Sequence, residues 1–228
     1  MKRVSMVATE HEENGALTIS GLLAILEQRI KPEVIFLEIP PAVFDEFLNG
    51  TPTNLEYTAA SRYSEIHRVD LIPVDLPTPE DEFWSKIRCL FRSIERTSPE
   101  YHRLMDWHGY YVHEKGLAYL NSEECSKLWT QIYGAMRTAI ERLPDRSMLA
   151  EFYDLWVSTN ERRDRAMIKN IEDHCRQASF SSAAFLVGAA HRQSIIDFLR
   201  AEPRVVSSTI EWDFAGFLAA SPLAVARP

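Results

Sequence analysis

The sequence predicts an α/β fold: a small, mostly parallel sheet flanked by helices, with a large helical insertion forming a cleft over the strand C-terminal ends. Three observations carry that prediction. Short apolar runs of strand length recur at both ends of the chain, at Arg3–Ala8, Val34–Ile39, Val69–Leu76, Ala183–Val187 and Arg204–Ile210. Segments with helical apolar spacing separate them, the alternation that builds parallel sheets. From Glu80 to Trp156 strand signals vanish and long amphipathic, aromatic-rich segments take over.

In chain order, Arg3–Ala8 reads as the first strand and Leu17–Ile30 as a helix with Leu22, Ile25, Leu26 and Ile30 on one face, ended by Pro32. Val34–Ile39 is the second strand, stopped by Pro40 and Pro41. Helices are expected over Phe44–Leu48 and Leu55–His67. Val69–Leu76 is the third strand, and Pro73 within it marks an edge or a bulge. Helices over Glu82–Arg96, Pro99–Leu120 and Ser122–Leu143 make up the insertion. Its aromatic residues (Trp84, Trp107, Tyr110, Tyr111, Tyr119, Trp129, Tyr133) read as core from their helical spacing. Ser158–Ala178 is a helix whose Ser158 and Glu161 stand in capping-box spacing. Arg204–Ile210 is the last strand, Glu211–Ala220 a short helix, and the Pro-ended tail a loop.

Composition narrows the function classes. The chain has 228 residues, 46% of them hydrophobic, enough for a single domain over 1–228 with 80–157 inserted in it. A net charge of −8 with dispersed Lys and Arg argues against nucleic acid or an anionic membrane as partner. Met1–Val7 lacks the apolar region of a signal peptide, and no run approaches the ~18 apolar residues of a membrane span. Cys89, Cys125 and Cys175 are widely spaced and form no CxxC pair, which reads as reduced thiols in a cytoplasmic protein.

The candidate site lies where strands end. Gly188 stops the apolar run Ala183–Val187, and His191 follows where a helix begins. In a parallel sheet that edge is where ligands bind. A helix N-terminus disfavours imidazolium, so His191 is expected to be neutral, as a metal ligand or general base must be. Val7-Ala8-Thr9-Glu10-His11 lines up with Val187-Gly188-Ala189-Ala190-His191, giving a second strand-end histidine. Glu38 closes the apolar second strand, where an unpaired carboxylate is costly; its alternative is a helix cap. Asp75 ends the third strand, with an Asx turn or cap as its alternative. His108 and His113 are five apart, not the i, i+4 spacing of two ligands on one helix face.

Arg162, Arg163 and Arg165 crowd the first turns of the Ser158–Ala178 helix, where the macrodipole disfavours cations. An anionic partner is therefore expected: Glu161, Asp164, the strand-end carboxylates or a bound anion. Arg163 and Arg165 lie about 160° apart around the helix, so only one can face inward. Two neutral imidazoles with Glu38 and Asp75 suit zinc, manganese or cobalt. The same set without metal suits general acid–base chemistry. With no P-loop, GxGxxG, GxSxG or HExxH motif, no nucleotide or organic cofactor is indicated.

These residues give the chain a family likeness. It resembles the TraB/PrgY/TIKI/GumN family of the erythromycin-esterase/ChaN-like superfamily, marked by two Gx2H motifs, a glutamate after the second strand and an arginine motif before the second Gx2H. Gly188-Ala-Ala-His191 matches the second motif. Ala8-Thr-Glu-His11 matches the first with alanine for glycine. Glu38 in PEVIFLEIP matches the glutamate, Asp75 an aspartate after the third strand, and Arg163-Asp164-Arg165-Ala166-Met167 the arginine motif, with Arg162 where the family has glutamate. The C-terminal membrane region frequent in the family is missing from this sequence.

The resemblance implies a metal-dependent hydrolase, with proteolysis the activity of the TIKI branch. It implies His11 and His191 as metal or catalytic histidines, Glu38 as ligand or base, and Arg163 as electrostatic stabiliser. The substrate would be a peptide or small molecule. PrgY-like members acting on pheromone peptides and ChaN-like members binding haem support an alternative, a binding protein that sequesters a ligand in the same cleft. A third reading is an interaction protein that homodimerises through the aromatic helical insertion.

Overall fold

The computed structural model describes residues 1–50, 54–77, 79–201 and 210–218. Five strands, β1 (Lys2–Thr9), β2 (Val34–Leu37), β3 (Asp70–Pro73), β4 (Ser182–Gly188) and β5 (Ile210–Asp213), form one sheet in the order β3-β2-β4-β1-β5. Every described pairing is parallel. β3 is an edge strand, which explains how Pro73 is tolerated.

Period-two alternation divides the strand side chains between two cores. Ile35, Leu37, Ala184 and Leu186 enter the core that continues into the helical part of the chain. Val34, Phe36, Ala183, Phe185 and Val187 enter the other. Both faces of the central strands are thus covered, which is why their sequences run apolar without interruption. Phe36 and Phe185 are wholly buried, each stabilising the fold by about 1.5–3 kcal/mol relative to exposure.

The helices are α1 (Ile19–Ile25), α2 (Phe44–Asn49), α3 (Leu55–Ile66), α4 (Asp81–Thr97), α5 (Pro99–Lys115), α6 (Leu117–Leu120), α7 (Glu123–Glu141), α8 (Arg146–Gln177) and α9 (Ala189–Ala201). The first begins later than its apolar pattern because Thr18 caps it, accepting from the Gly21 amide. It runs on as a π-helical turn over Leu26–Ile30 and ends at left-handed Lys31. The predicted Pro99–Leu120 helix breaks at Gly116, whose φ is +53° and whose Cβ would lie 2.4 Å from the Ala16 carbonyl oxygen.

The largest departure is at α8. It spans 32 residues without interruption, about 48 Å, so no helix starts at Ser158. The Ser158 hydroxyl donates back to the Leu155 carbonyl instead of capping. The helical insertion therefore has no boundary at residue 157. The first half of α8 packs its Leu149 and Tyr153 in the helical core, and its second half lays Met167, Ile168 and Ile171 on the sheet. The arginines are mid-helix, so the macrodipole argument for their partner does not apply.

At the C-terminus, Glu211–Asp213 is strand rather than helix, followed by a 3-10 turn at Gly216–Leu218. The expected strand residues 204–209 and the tail 219–228 lie outside the described residues. Among the insertion aromatics Tyr119 is buried, whereas Trp84, Trp107 and Tyr110 are exposed rather than core. Among the described residues no helix is long and apolar enough to cross a membrane.

Candidate functional site

The C-terminal strand ends form the floor of a cleft of about 750 Å³, and the helical part of the chain walls it with Phe83, Trp84, Met105, Trp129 and Trp156. His11, Glu38, Asp75, Arg163 and His191 all line it. The expectation that the strand ends share one crevice with an arginine from the long helix is met at each of these five residues.

Arg163 resolves the choice between the two arginines. Its Nη2 donates to Glu38 Oε1 at 2.6 Å and to Asp75 Oδ2 at 2.7 Å, and its Nε donates to both Asp75 oxygens at 3.1 and 3.2 Å. Arg165 lies instead 5.7 Å over the Phe198 ring. The anionic partners of Arg163 are thus the two strand-end carboxylates. Burial works against its charge, but Asp75 and Glu38 overcome that and hold the guanidinium protonated above its ordinary range. Asp75 also accepts from the amide of the next residue, Leu76, at 2.7 Å; an Asx turn would take the amide two residues on, which Pro77 does not have, so the ion pair with Arg163 is the role the structure shows.

His191 is the third residue of α9 and is buried. Its Nδ1 meets Asp164 Oδ1 at 2.6 Å and its Nε2 meets Glu38 Oε1 at 3.3 Å. Burial pulls its pKa down, but Glu38 and Asp164 more than reverse this and push it to about 10. The direction is opposite to the expected neutral histidine: two carboxylates outweigh one helix terminus and favour the imidazolium. Burial likewise opposes charge on Glu38, yet His191, Arg163 and the Gly188 amide hold its pKa down at about 2. That amide donates to Glu38 Oε2 at 2.7 Å, and a Cβ at Gly188 would sit 3.4 Å from the same oxygen. That distance is an ordinary van der Waals contact, so the approach of the strand end to the carboxylate does not itself require glycine.

The strand-end histidines are not equivalent. In the sheet register Ala8 faces Val187 and Thr9 faces Gly188, one residue off the sequence alignment. His11 lies beyond β1 with its side chain 62% exposed, and its Nδ1 meets Glu56 Oε1 at 2.5 Å. The Glu56 hydrogen bond raises the His11 pKa, opposed by burial and assisted by the charges of Glu56, Glu38 and Glu10. Among the described residues both ring contacts of His11 use Nδ1, leaving Nε2 for a proton.

The chain matches no family model, no curated protein and no solved structure. The reading of the site therefore rests on its own geometry.

As arranged, the four expected ligands do not fit a divalent metal. The Arg163 guanidinium occupies the space between Glu38 and Asp75 that a cation would need, and both ring nitrogens of His191 are engaged by Asp164 and Glu38. Among the described residues no group of three or more His, Cys, Asp and Glu is placed to hold a metal ion.

Sequence reasoning missed three groups. Glu56 is buried on α3, among Leu55, Ala59, Ala60 and Tyr63. Asp164 was weighed only as a partner for arginine, and it holds His191. His108 is buried, its Nε2 2.6 Å from Glu10 Oε1 and its Nδ1 3.0 Å from the Tyr119 hydroxyl. A signal existed: Glu56 and His108 are polar residues inside apolar helical stripes, Tyr101-Leu104-His108-Val112 in the second case.

Proposed function

We propose that the cleft is the active site of a hydrolase acting on a peptide or ester bond, with His11 as general base and Glu56 as its orienting carboxylate. The observation that carries this reading is the His11–Glu56 pair, an exposed imidazole in a walled cleft, tied through one nitrogen to a buried carboxylate. In the proposed step His11 Nε2 takes a proton from water as the oxygen attacks the carbonyl carbon. It then passes that proton to the departing amine nitrogen or alkoxide oxygen. Arg163 Nη1, whose contacts are at 3.4 and 3.5 Å, is the guanidinium nitrogen least committed to carboxylates and would meet the developing oxyanion. Glu38, Asp75, Asp164 and His191 position that guanidinium rather than touch the reacting bond. An adjoining cavity of about 240 Å³, walled by Tyr133, Tyr153 and the two tryptophans Trp129 and Trp156, would take an apolar substituent.

A second reading, ligand sequestration without turnover, draws on the saturation of the floor: every oxygen of Glu38 and Asp75 is already hydrogen-bonded. A panel of p-nitrophenyl esters and chromogenic peptides separates the two. Turnover by the wild type that falls 10²–10⁴-fold (roughly the worth of a general base) in His11→Ala/Glu56→Gln supports the hydrolase. The paired change avoids leaving Glu56 buried and unpartnered. Binding of the panel compounds with no product supports sequestration. Turnover lost on chelation and restored by manganese, cobalt or zinc would support the metal-dependent form of the reaction instead.

A further inference from the structure

We infer that the cleft binds a protonated amine and that Glu10 is the group that receives it, in which case the ammonium belongs to the same substrate that His11 acts on, so this rests on the hydrolase reading. Three described carboxylates line the cleft: Glu10, Glu38 and Asp75. Glu38 and Asp75 have both oxygens engaged by Arg163, His191 or backbone amides. Glu10 has one oxygen held, Oε1 against His108 Nε2 at 2.6 Å, and among the described residues Oε2 has no partner. Its side chain is 33% exposed, whereas His108 behind it is 5% exposed. His108 is itself fixed by the Tyr119 hydroxyl, so a buried, anchored imidazole aims an accessible carboxylate.

The surroundings select for positive charge. Arg163 is the only lysine or arginine among the described residues lining the cleft; its Nε and Nη2 are held by Glu38 and Asp75, and its Nη1 is the nitrogen the proposed reaction reserves for the oxyanion. Among the described residues no second lysine or arginine lines the cleft to receive an anionic substituent of the substrate. Opposite the floor, Phe83, Trp84, Trp129 and Trp156 present aromatic side chains to the same space. A carboxylate with an oxygen unpartnered among the described residues, in a cleft also lined by aromatic side chains, is the recognition chemistry of an alkylammonium, by charge-assisted hydrogen bond and by cation–π attraction. It is poor for a carboxylate or phosphate, which would face Glu10 unpaired.

The test uses three ligands of one shape on the full chain: 4-phenylbutylamine, 4-phenylbutan-1-ol and 4-phenylbutyrate. Binding is followed by calorimetry and by fluorescence of the cleft tryptophans. The amine is expected to bind at least about tenfold more tightly than the alcohol at neutral pH and low salt, with the carboxylate weakest. Glu10→Gln should bring amine and alcohol within about twofold, and Glu10→Asp, which keeps the charge, should retain part of the preference. Melting temperatures of both variants report on folding. Equal binding of amine and alcohol, an amine preference that survives in folded Glu10→Gln, or no amine binding below about 10 mM would overturn the assignment. An amine preference without turnover on any panel compound would sink the hydrolase reading while leaving the amine site standing. Turnover without the preference would do the reverse.

Discussion

Arg163→Met tests the ion-pair floor most sharply. Methionine keeps the stem of the side chain and deletes the guanidinium. Four donor contacts between 2.6 and 3.2 Å are lost, three of them to Asp75, which is 4% exposed at its side chain. Among the described residues Asp75 keeps only the Leu76 amide, while Glu38 keeps His191 and the Gly188 amide. Stranding one member of a buried pair costs about 3–5 kcal/mol. Arg163 is itself 22% exposed, so solvent screening places this site at the lower end. At about 3 kcal/mol, a chain of this size should lose roughly 6–12 °C in melting temperature. Differential scanning calorimetry at neutral pH measures it, with Arg165→Ala as reference. Arg165 is exposed on the same helix and should cost no more than about 0.5 kcal/mol. Adding Asp75→Asn to Arg163→Met should return part of the loss, because the stranded charge is removed. A melting temperature for Arg163→Met within about 2 °C of wild type would refute the floor as described.

Stability should peak between about pH 4.5 and 6.5. Glu38 falls from 4.5 to about 2 on folding, so its contribution is present above 4.5 and lost as pH drops toward 2. His191 rises from 6.5 to about 10, so its contribution is present below 6.5 and lost as pH climbs toward 10. Urea denaturation from pH 2 to 10 traces both limbs, and the alkaline one should vanish in His191→Gln. Ser158→Ala should change stability by less than about 0.5 kcal/mol, whereas loss of a true cap costs about 1; equilibrium unfolding distinguishes the two.

The first four strands, a mostly parallel sheet and the charged residues at the strand ends were legible because each rests on local pattern; the order of the strands was not. Continuous apolar runs mark strands covered on both faces, and a charged residue at the end of such a run must be at the sheet edge. Glu38, Asp75 and His191 were found that way. What each one touches was not legible. His191 was read from its helix terminus alone, and Glu38 and Asp164, both distant in sequence, raise its pKa instead. The His11–Glu56 and Glu10–His108 pairs span 45 and 98 residues, separations that periodicity does not register. Ser158 misled for the opposite reason. A serine–glutamate spacing that caps a helix in one context occurs mid-helix in another, and only the continuous apolar contacts of α8 decide between them.

The pH dependence of kcat/KM in wild type and Glu56→Gln, on whichever panel ester is turned over, tests the central claim most directly. A general base must be deprotonated, so the rate should rise with pH. The wild-type midpoint should lie above 6.5, because Glu56 raises the His11 pKa. In Glu56→Gln the midpoint should move to lower pH, since the main raising contact is gone, and the plateau should fall. A wild-type midpoint below 6.5, or one that Glu56→Gln leaves in place, would contradict the assignment of His11 and Glu56 as the catalytic pair.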